Sequence, residues 1–202
     1  RAMLEMKMYA KELSHKYNME IALARTPAET TAQRFAVSDL MHDEYREKAM
    51  QVIKGDVDKA LEHISETKDL PVYYTNGTHL APGASVTITE RIQKEQIFFP
   101  IVDGGNIMHI WMNEKVPDVD GLMDFGMRIA KNTQVGYFAF TRDMTMCLDE
   151  GYMSNGLQEK CPKCGSGNVQ HLSRITGYLQ NVEGWNEGKK QELKDRARYD
   201  VA

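Results

Sequence analysis

The 202-residue sequence has no run of 18 or more apolar residues and no excess of basic residues. A helix needs about 20 apolar residues to cross a bilayer, so no membrane-spanning segment is predicted. The 25 Lys and Arg residues are outnumbered by 29 Asp and Glu residues. The resulting net charge of -4 gives no electrostatic reason to expect a nucleic acid backbone as partner. The first residues also lack the basic, apolar and small-residue order of a signal peptide.

Cysteine is scarce as well. The chain has three cysteines, an odd number, and all of them lie between positions 147 and 164. A disulfide framework uses an even number of cysteines, whereas closely spaced cysteines in a chain without a secretion signal are typical of a metal site. We therefore expect a cytoplasmic protein in which cysteines bind a metal. Because the sequence begins with Arg1 inside a helical pattern, we also expect it to be part of a longer protein.

Stretches with helical periodicity alternate with short apolar runs along the chain. Helices are predicted at 3–17, 27–41, 43–54, 56–64, 86–96 and 118–132, and strands at 20–24, 71–75, 107–112, 136–140 and 169–175. The apolar run 97–102 fits neither pattern clearly. Strands separated by helices of this length predict an α/β fold with parallel pairing and right-handed crossovers. With 42% apolar residues, the chain can bury an ordinary core.

Two local motifs mark the ends of elements. In the segment Thr26-Pro27-Ala28-Glu29, Thr at the N-cap, Pro at the first position and Glu at the third predict a helix start. Free N–H groups at this end also suit a substrate phosphate, but ordinary capping explains the motif and is the interpretation we adopt. The dipeptide Asn76-Gly77 predicts a turn.

Two segments repeat one metal-binding pattern. The segment C-L-D-E-G at 147–151 and the segment C-P-K-C-G at 161–165 each place a glycine after two ligand positions, as in a pair of zinc knuckles. The candidate zinc ligands are Cys147, Glu150, Cys161 and Cys164. Glu150 stands where the pattern calls for a cysteine, and a carboxylate can ligate zinc. His171 is an alternative fourth ligand, and a degenerate, empty site is the competing interpretation.

A group of short motifs near the end of the chain carries a family resemblance. The segment 173–179 reads S-R-I-T-G-Y-L, 185–190 reads W-N-E-G-K-K and 195–199 reads D-R-A-R-Y. Upstream, T-P-A-E at 26–29, Y-Y-T-N at 73–76 and a Gly-Gly turn at 104–105 follow in the same order. The sequence thereby resembles the C-terminal region of the anaerobic (class III) ribonucleoside-triphosphate reductases over nearly its whole length. The departures are Glu150 and Ile175, where the family has cysteine and more often valine.

The resemblance implies a fold, a cofactor and a reaction. It implies that 1–142 form the C-terminal part of a ten-stranded α/β barrel, and that 143–202 form a zinc-knuckle and glycyl radical domain. Gly177 falls on the glycine that stores the radical, which a radical-SAM activating enzyme installs. Further implications are ribonucleoside triphosphates as substrates and a homodimer. The family's thiyl cysteine lies upstream of this region, so the chain alone is expected to be inactive.

The chemistry explains why a glycine is needed at position 177. A Cα radical is stabilised by delocalisation into the two flanking amides, and a side chain would hinder both planarity and hydrogen abstraction. Such a radical must be sheltered from water and oxygen, yet an activating enzyme must reach it. We therefore expect Gly177 at the tip of a releasable loop. The aromatic residues Tyr73, Tyr74 and Trp111, together with His109, are interpreted as core residues.

Two other functions compete with this one. The chain can be a stand-alone radical-bearing subunit that complements a truncated reductase, or a zinc-ribbon module that binds nucleic acid. The acidic balance and the lack of a basic patch with interleaved aromatics argue against the second alternative.

Overall fold

The computed structural model describes residues 1–26, 29–75, 77–175 and 177–201. The helices are α1 (Ala2–Tyr17), α2 (Glu29–Met41), α3 (Asp43–Val52), α4 (Val57–His63), α5 (Ile88–Glu95), α6 (Val119–Asn132) and α7 (Glu187–Asp195). The strands are β1 (Lys54–Gly55), β2 (Val72–Tyr73), β3 (Met108–Trp111), β4 (Phe138–Thr141), β5 (Met144–Cys147), β6 (Met153–Asn155), β7 (Val169–Arg174) and β8 (Leu179–Asn181). Helices and strands together confirm the predicted α/β content.

One parallel strand pair organises the middle of the chain. Strands β3 and β4 pair in parallel from Met108 opposite Phe138 to Trp111 opposite Thr141. Helix α6 connects them, and Asp118 caps its start by accepting a hydrogen bond from the Gly121 N–H. A buried apolar cluster surrounds this pair: Ile92, Met108, Ile110, Met112, Ile129, Val135 and Val201. The predicted parallel pairing with a helical crossover is therefore confirmed for this pair, while the described residues do not form a ten-stranded barrel.

The N-terminal half has its own core, and the last helix closes it. Helices α2, α3 and α4 pack with the antiparallel pair β1 and β2 around Ala36, Val37, Leu40, Ala49, Ile53, Ala60, Leu70 and Val72. Helix α7 lies against β2 and α2 so closely that a Cβ at Gly188 would stand 2.6 Å from the Val72 carbonyl oxygen. A larger residue at 188 would push the helix away from this core.

The sequence did not predict a four-stranded antiparallel sheet in the last third of the chain. Its strand order is β6-β5-β7-β8, so β5 and β7 are the central strands. The run 169–175 was predicted as a strand, and β7 confirms it, but β5, β6 and β8 were not predicted. These are strands of three or four residues, too short for a clear alternation of apolar and polar positions.

Several predicted boundaries were wrong. The segment 20–24, predicted as a strand, pairs through one residue, in an isolated bridge between Ala24 and Gly104. Helix α3 ends at Val52, since Lys54 joins β1, and α5 begins at Ile88 after a capping box at Thr87. The apolar run 97–102 contains the end of a 3-10 helix, Gln96–Phe98, followed by a turn at 99–101. The proline of the predicted cap at 26–29 and the asparagine of the predicted turn at 76–77 lie outside the described residues.

The first helix is present but less buried than its pattern indicates. Ala10 is the buried residue of α1, whereas Met6 is 58% exposed and Tyr17 is 56% exposed. None of the helices in the described part of the chain is both long enough and apolar enough to span a bilayer.

Candidate functional site

The two cysteine knuckles have the same backbone geometry. In each knuckle, the cysteine N–H donates to the carbonyl five residues later at 2.8 Å, from Cys147 to Tyr152 and from Cys161 to Ser166. In each, the glycine N–H donates back to the cysteine carbonyl, at 2.9 Å from Gly151 and 2.8 Å from Gly165. Both glycines have left-handed backbones, with φ of 64° and 76°, which a side chain would strain. The repeated pattern in the sequence thus corresponds to a repeated structure.

The three cysteine sulfurs converge on one point. The Sγ atoms of Cys147, Cys161 and Cys164 all lie within 4.8 Å of one another. Those of Cys147 and Cys164 are 3.7 Å apart, far beyond the bond length of about 2.05 Å in a disulfide. Sulfurs placed tetrahedrally at about 2.3 Å from zinc are about 3.8 Å apart. The spacing of the thiols therefore fits three corners of a tetrahedral zinc site.

Hydrogen bonds from the backbone favour the thiolate form of Cys161. Burial of this thiol opposes ionisation, but hydrogen bonds from the backbone N–H groups of Cys164 and Lys163 outweigh it and lower the pKa of Cys161. A thiolate is the form that binds zinc. Asp149, in the first knuckle, accepts hydrogen bonds from the side chains of Ser166 and Asn168 in the second. These bonds hold the two knuckles face to face and lower the pKa of Asp149.

By the symmetry of the knuckles, Glu150 is the predicted fourth ligand. Glu150 occupies the third position after Cys147, as Cys164 does after Cys161. In this structure, however, its carboxylate accepts a hydrogen bond from Lys163 Nζ at 2.6 Å. Among the described residues, the three sulfurs converge and the Glu150 carboxylate does not join them. The alternative ligand His171 has its Nε2 atom 3.0 Å from the Gln158 carbonyl oxygen.

Gly177 lies in the connection between β7 and β8. These strands pair from Leu172 opposite Asn181 to Arg174 opposite Leu179, so the connection is short and begins directly after Arg174. Gly177 and Tyr178 are exposed, and a Cβ at Gly177 would meet no atom within 4 Å. The predicted position at a loop tip is confirmed, but the expected shelter is not provided by the described residues. The adjacent Thr176 lies outside those residues.

The metal end and the glycine end belong to one sheet. Cys147 ends β5, and β7 starts at Val169, which pairs directly with Cys147. Strand β7 then runs in the opposite direction and ends at Arg174, before the glycine loop. The cysteine knuckles and the glycine loop, which the sequence placed in one C-terminal domain, thus lie at opposite ends of strand β7.

A cluster of buried charges, which the sequence did not indicate, lies behind this loop. Arg91 pairs with Glu95 at 3.0 Å, and Arg196 pairs with Glu192 at 3.1 Å. The Trp111 ring lies between the two arginines, 5.4 Å from the Arg91 guanidinium and 5.2 Å from that of Arg196. These five residues are contributed by α5, β3 and the end of α7. Their separation of up to 105 positions in the sequence explains why no local pattern revealed the cluster.

A lysine of the W-N-E-G-K-K motif, Lys189, is a second cation paired with Glu192. Burial of Glu192 raises its pKa, but Lys189 and Arg196 outweigh burial and hold the pKa below its usual value. Asn186 of the same motif caps α7, because its side chain accepts from the Lys189 N–H at 2.8 Å. The motif therefore starts the helix and supplies one of its buried charges.

A cavity of about 50 Å³ lies among these groups, lined also by His109 and Ile175. His109 was interpreted as a satisfied core residue, and this was only half right. Its Nδ1 atom is 2.9 Å from Thr141 Oγ1, but its Nε2 atom is buried without a partner among the described residues. Burial, followed by the nearby positive charge of Arg196, lowers the pKa of His109 to about 4, so the ring is neutral.

Two more buried atoms at the cavity have no partner within the described chain, namely Trp111 Nε1 and Thr75 Oγ1. A small polar molecule in the cavity can bond to such atoms. Thr75 and Arg25 also line a larger cavity of about 400 Å³, which is bordered by Phe35 and Thr78. Binding sites for small molecules commonly have this size.

The comparisons with known proteins agree on one family. The family model described as "Anaerobic ribonucleoside-triphosphate reductase" matches residues 1–199. The anaerobic ribonucleoside-triphosphate reductase of Haemophilus influenzae is 26% identical over 209 residues, which cover 96% of this chain and 25% of that protein. The chain thus spans about a quarter of the length of this relative.

Two solved structures have a similar fold. An anaerobic ribonucleotide reductase superposes with a TM-score of 0.70 at 23% identity, over 98% of this chain and 28% of that one. The reductase from Thermotoga maritima in complex with dATP and CTP superposes with a TM-score of 0.62 at 23% identity, over 96% of this chain and 27% of that one. The match of the family model over almost the entire sequence establishes that the chain belongs to the anaerobic ribonucleoside-triphosphate reductase family.

Proposed function

We propose that this chain is the radical-bearing C-terminal part of an anaerobic ribonucleoside-triphosphate reductase, with Gly177 as the residue that stores the radical. The observation that carries the proposal is the position of Gly177 in the β7–β8 connection, in a chain that matches the family over residues 1–199. The loop leaves room around this Cα, so an activating enzyme has access to it.

The proposed activation removes one hydrogen atom from the Gly177 Cα and transfers it to an organic radical held by a radical-SAM activating enzyme. A proton and one electron leave together, and the unpaired electron that remains is shared with the two flanking amides. In turnover, this radical takes a hydrogen atom from a cysteine thiol, and the resulting thiyl radical acts at the ribose 3' position. Because all three cysteines of this chain lie in the knuckles, that thiol belongs to another part of the enzyme.

The knuckles hold zinc in this proposal through Cys147, Cys161 and Cys164, with Glu150 as the fourth ligand. Zinc, when bound, supplies a structural cross-link between the two knuckles. To bind the metal, the Glu150 carboxylate must leave the half-exposed Lys163. The cost is one surface ion pair, and such pairs contribute little stability. Strand β7, which leads from the second knuckle to the Gly177 loop, then starts from a fixed point.

We place the ribonucleotide next to the two neighbouring cavities, which share Arg25 and Thr75 in their walls. The larger cavity of about 400 Å³ suits a small-molecule substrate, and the smaller one has unpartnered polar atoms on its wall. In the proposed assembly, the parallel β3–β4 pair is part of a ten-stranded barrel, and the rest of the enzyme covers Gly177 against water and oxygen. A homodimer and a cytoplasmic location remain predictions.

Electron paramagnetic resonance tests the proposal directly. After anaerobic treatment with a radical-SAM activating enzyme, we expect a doublet that arises from the single hydrogen left on the Cα. Protein grown with glycine deuterated at Cα should give a singlet instead, because deuterium couples more weakly to the electron. No signal after activation, or a doublet that deuterated glycine leaves unchanged, would contradict the assignment of the radical to a glycine.

A further inference from the structure

One charged side chain contacts the proposed radical residue. The Arg174 guanidinium donates a hydrogen bond from Nη1 to the Gly177 carbonyl oxygen at 2.6 Å. We propose that Arg174 is a positioning residue for the radical, which orients and polarises the carbonyl group next to the radical carbon. This inference rests on the proposed function of Gly177.

The main chain of Arg174 is fixed by buried partners. Its carbonyl oxygen accepts a hydrogen bond from Arg196 Nη2 at 3.0 Å, and Arg196 Nη1 donates to Ser173 Oγ at 3.0 Å. Ser173 is fully buried and donates to Asp143 Oδ1 at 2.6 Å. Arg196 is itself 5% exposed and stacks on Trp111. The backbone from which the Arg174 side chain extends is therefore anchored in the core.

Gly177, in contrast, lies on the exposed part of the loop. Tyr178 is exposed as well, and among the described residues, apart from the chain neighbours of Gly177, no heavy atom lies within 4 Å of the place where a Cβ would be. The hydrogen bond from Arg174 therefore connects an exposed loop to a fixed strand end. It restricts rotation of the peptide plane that follows Gly177.

The orientation of that plane matters for a radical on Cα. Delocalisation requires the half-filled orbital of the carbon to overlap with the π system of the adjacent carbonyl group. A guanidinium on the carbonyl oxygen holds the plane and also withdraws electron density, which increases the share of spin on the carbonyl group. Charge-assisted hydrogen bonds are about twice as strong as neutral ones. Arg174 transfers neither a proton nor an electron.

The test compares Arg174→Gln and Arg174→Lys with the unchanged chain after anaerobic activation. Glycine labelled with ¹³C at the carbonyl carbon is incorporated, so that the ¹³C coupling reports the spin on that group. Arg128→Gln is the matched control, because Arg128 is an exposed arginine that pairs with Asp124 on α6. The midpoint of urea unfolding verifies that each variant is folded.

For Arg174→Gln, we expect a changed ¹³C coupling and a radical half-life shortened at least about tenfold, near the lower end of the factors that correspond to loss of a hydrogen bond to a charged group. Arg174→Lys should restore at least a third of the half-life, and Arg128→Gln should match the unchanged chain. A normal coupling and half-life in folded Arg174→Gln would overturn the inference and leave the proposed function standing. If the glutamine variant does not fold, Arg174→Met, which keeps the apolar stem and removes the donor, takes its place, and a normal coupling and half-life in that variant overturn the inference. No doublet in the unchanged chain would refute the proposed function itself, and the role of Arg174 with it.

Discussion

Replacing Gly177 by alanine should separate radical chemistry from folding. The backbone at Gly177 is outside the left-handed region, and an added Cβ meets no atom within 4 Å. The native state therefore pays no steric penalty, while the unfolded chain loses conformational freedom. Substitutions of this kind stabilise proteins by about 0.4–1 kcal/mol. Gly177→Ala should thus raise the free energy of unfolding slightly, or leave it unchanged, in urea denaturation.

The same variant should lose both signs of the radical. The methyl group hinders planarity at Cα, so no doublet should form after activation. In the unchanged chain, oxygen adds to the Cα radical and the resulting peroxyl species breaks the backbone at Gly177. Exposure to air should therefore give a large fragment that ends just before Tyr178, which mass spectrometry can identify, and the alanine variant should stay intact.

Two other glycines serve as controls. Gly167 also has no atom within 4 Å of an added Cβ, so Gly167→Ala should fold normally and keep the radical. Gly165 has a left-handed backbone, and Gly165→Ala should lower the free energy of unfolding by about 1–2 kcal/mol. A radical that persists in Gly177→Ala, cleavage at another residue, or loss of the signal in Gly167→Ala would refute the assignment.

The remaining predictions concern the metal, pH and turnover. Purified protein should contain about one zinc per chain by elemental analysis; Cys161→Ser should lose it and Glu150→Cys should bind it more tightly, and zinc retained by Cys161→Ser would defeat the metal assignment. The pKa of His109 is about 4 in the folded state against 6.5 in the unfolded chain, so the unfolded state binds more protons between these values and stability must fall as the pH falls through this window. The loss from pH 7.5 to pH 5 should be about 2 kcal/mol by urea denaturation, and His109→Gln should remove most of it; an equal slope in both proteins would disprove the shift. Residues 1–202 alone should form no deoxyribonucleotide from any ribonucleotide, even with the radical installed, and measurable product would show that one of the three thiols is misassigned.

The sequence predicted those features that neighbouring residues decide. The predicted helix starts at 56 and 118 each depend on a bond between a side chain and an N–H group three residues later, and both caps are present. The paired knuckles likewise depend on hydrogen bonds within five residues of each cysteine. The position of Gly177 at a loop tip followed from the predicted strand that precedes it.

Features set by distant residues could not be predicted in this way. Arg196 is enclosed by Ser173, Glu192 and Trp111, of which only Glu192 is close in the sequence. The strands β6 and β8 have three residues each and are defined by their pairing to β5 and β7, which no local pattern specifies. The ion pair between Glu150 and Lys163 joins the two knuckles. The sequence could therefore suggest Glu150 as a ligand, but it could not show that Lys163 competes with a metal for this carboxylate.

The path of the chain after the glycine loop has a consequence for the cleaved protein. Tyr199 donates its N–H to the Trp111 carbonyl oxygen at 2.7 Å, beside β3, and Val201 is buried in the core around that strand. Strand β8 remains paired with β7, and Trp185 is 6% exposed. Residues 178–201 thus contact the rest of the protein at several separate places, through strand pairing, hydrogen bonds and buried side chains. A broken peptide bond at 177 would therefore not release them. Oxygen-damaged molecules should elute with intact ones in native gel filtration and separate into two pieces only in denaturant.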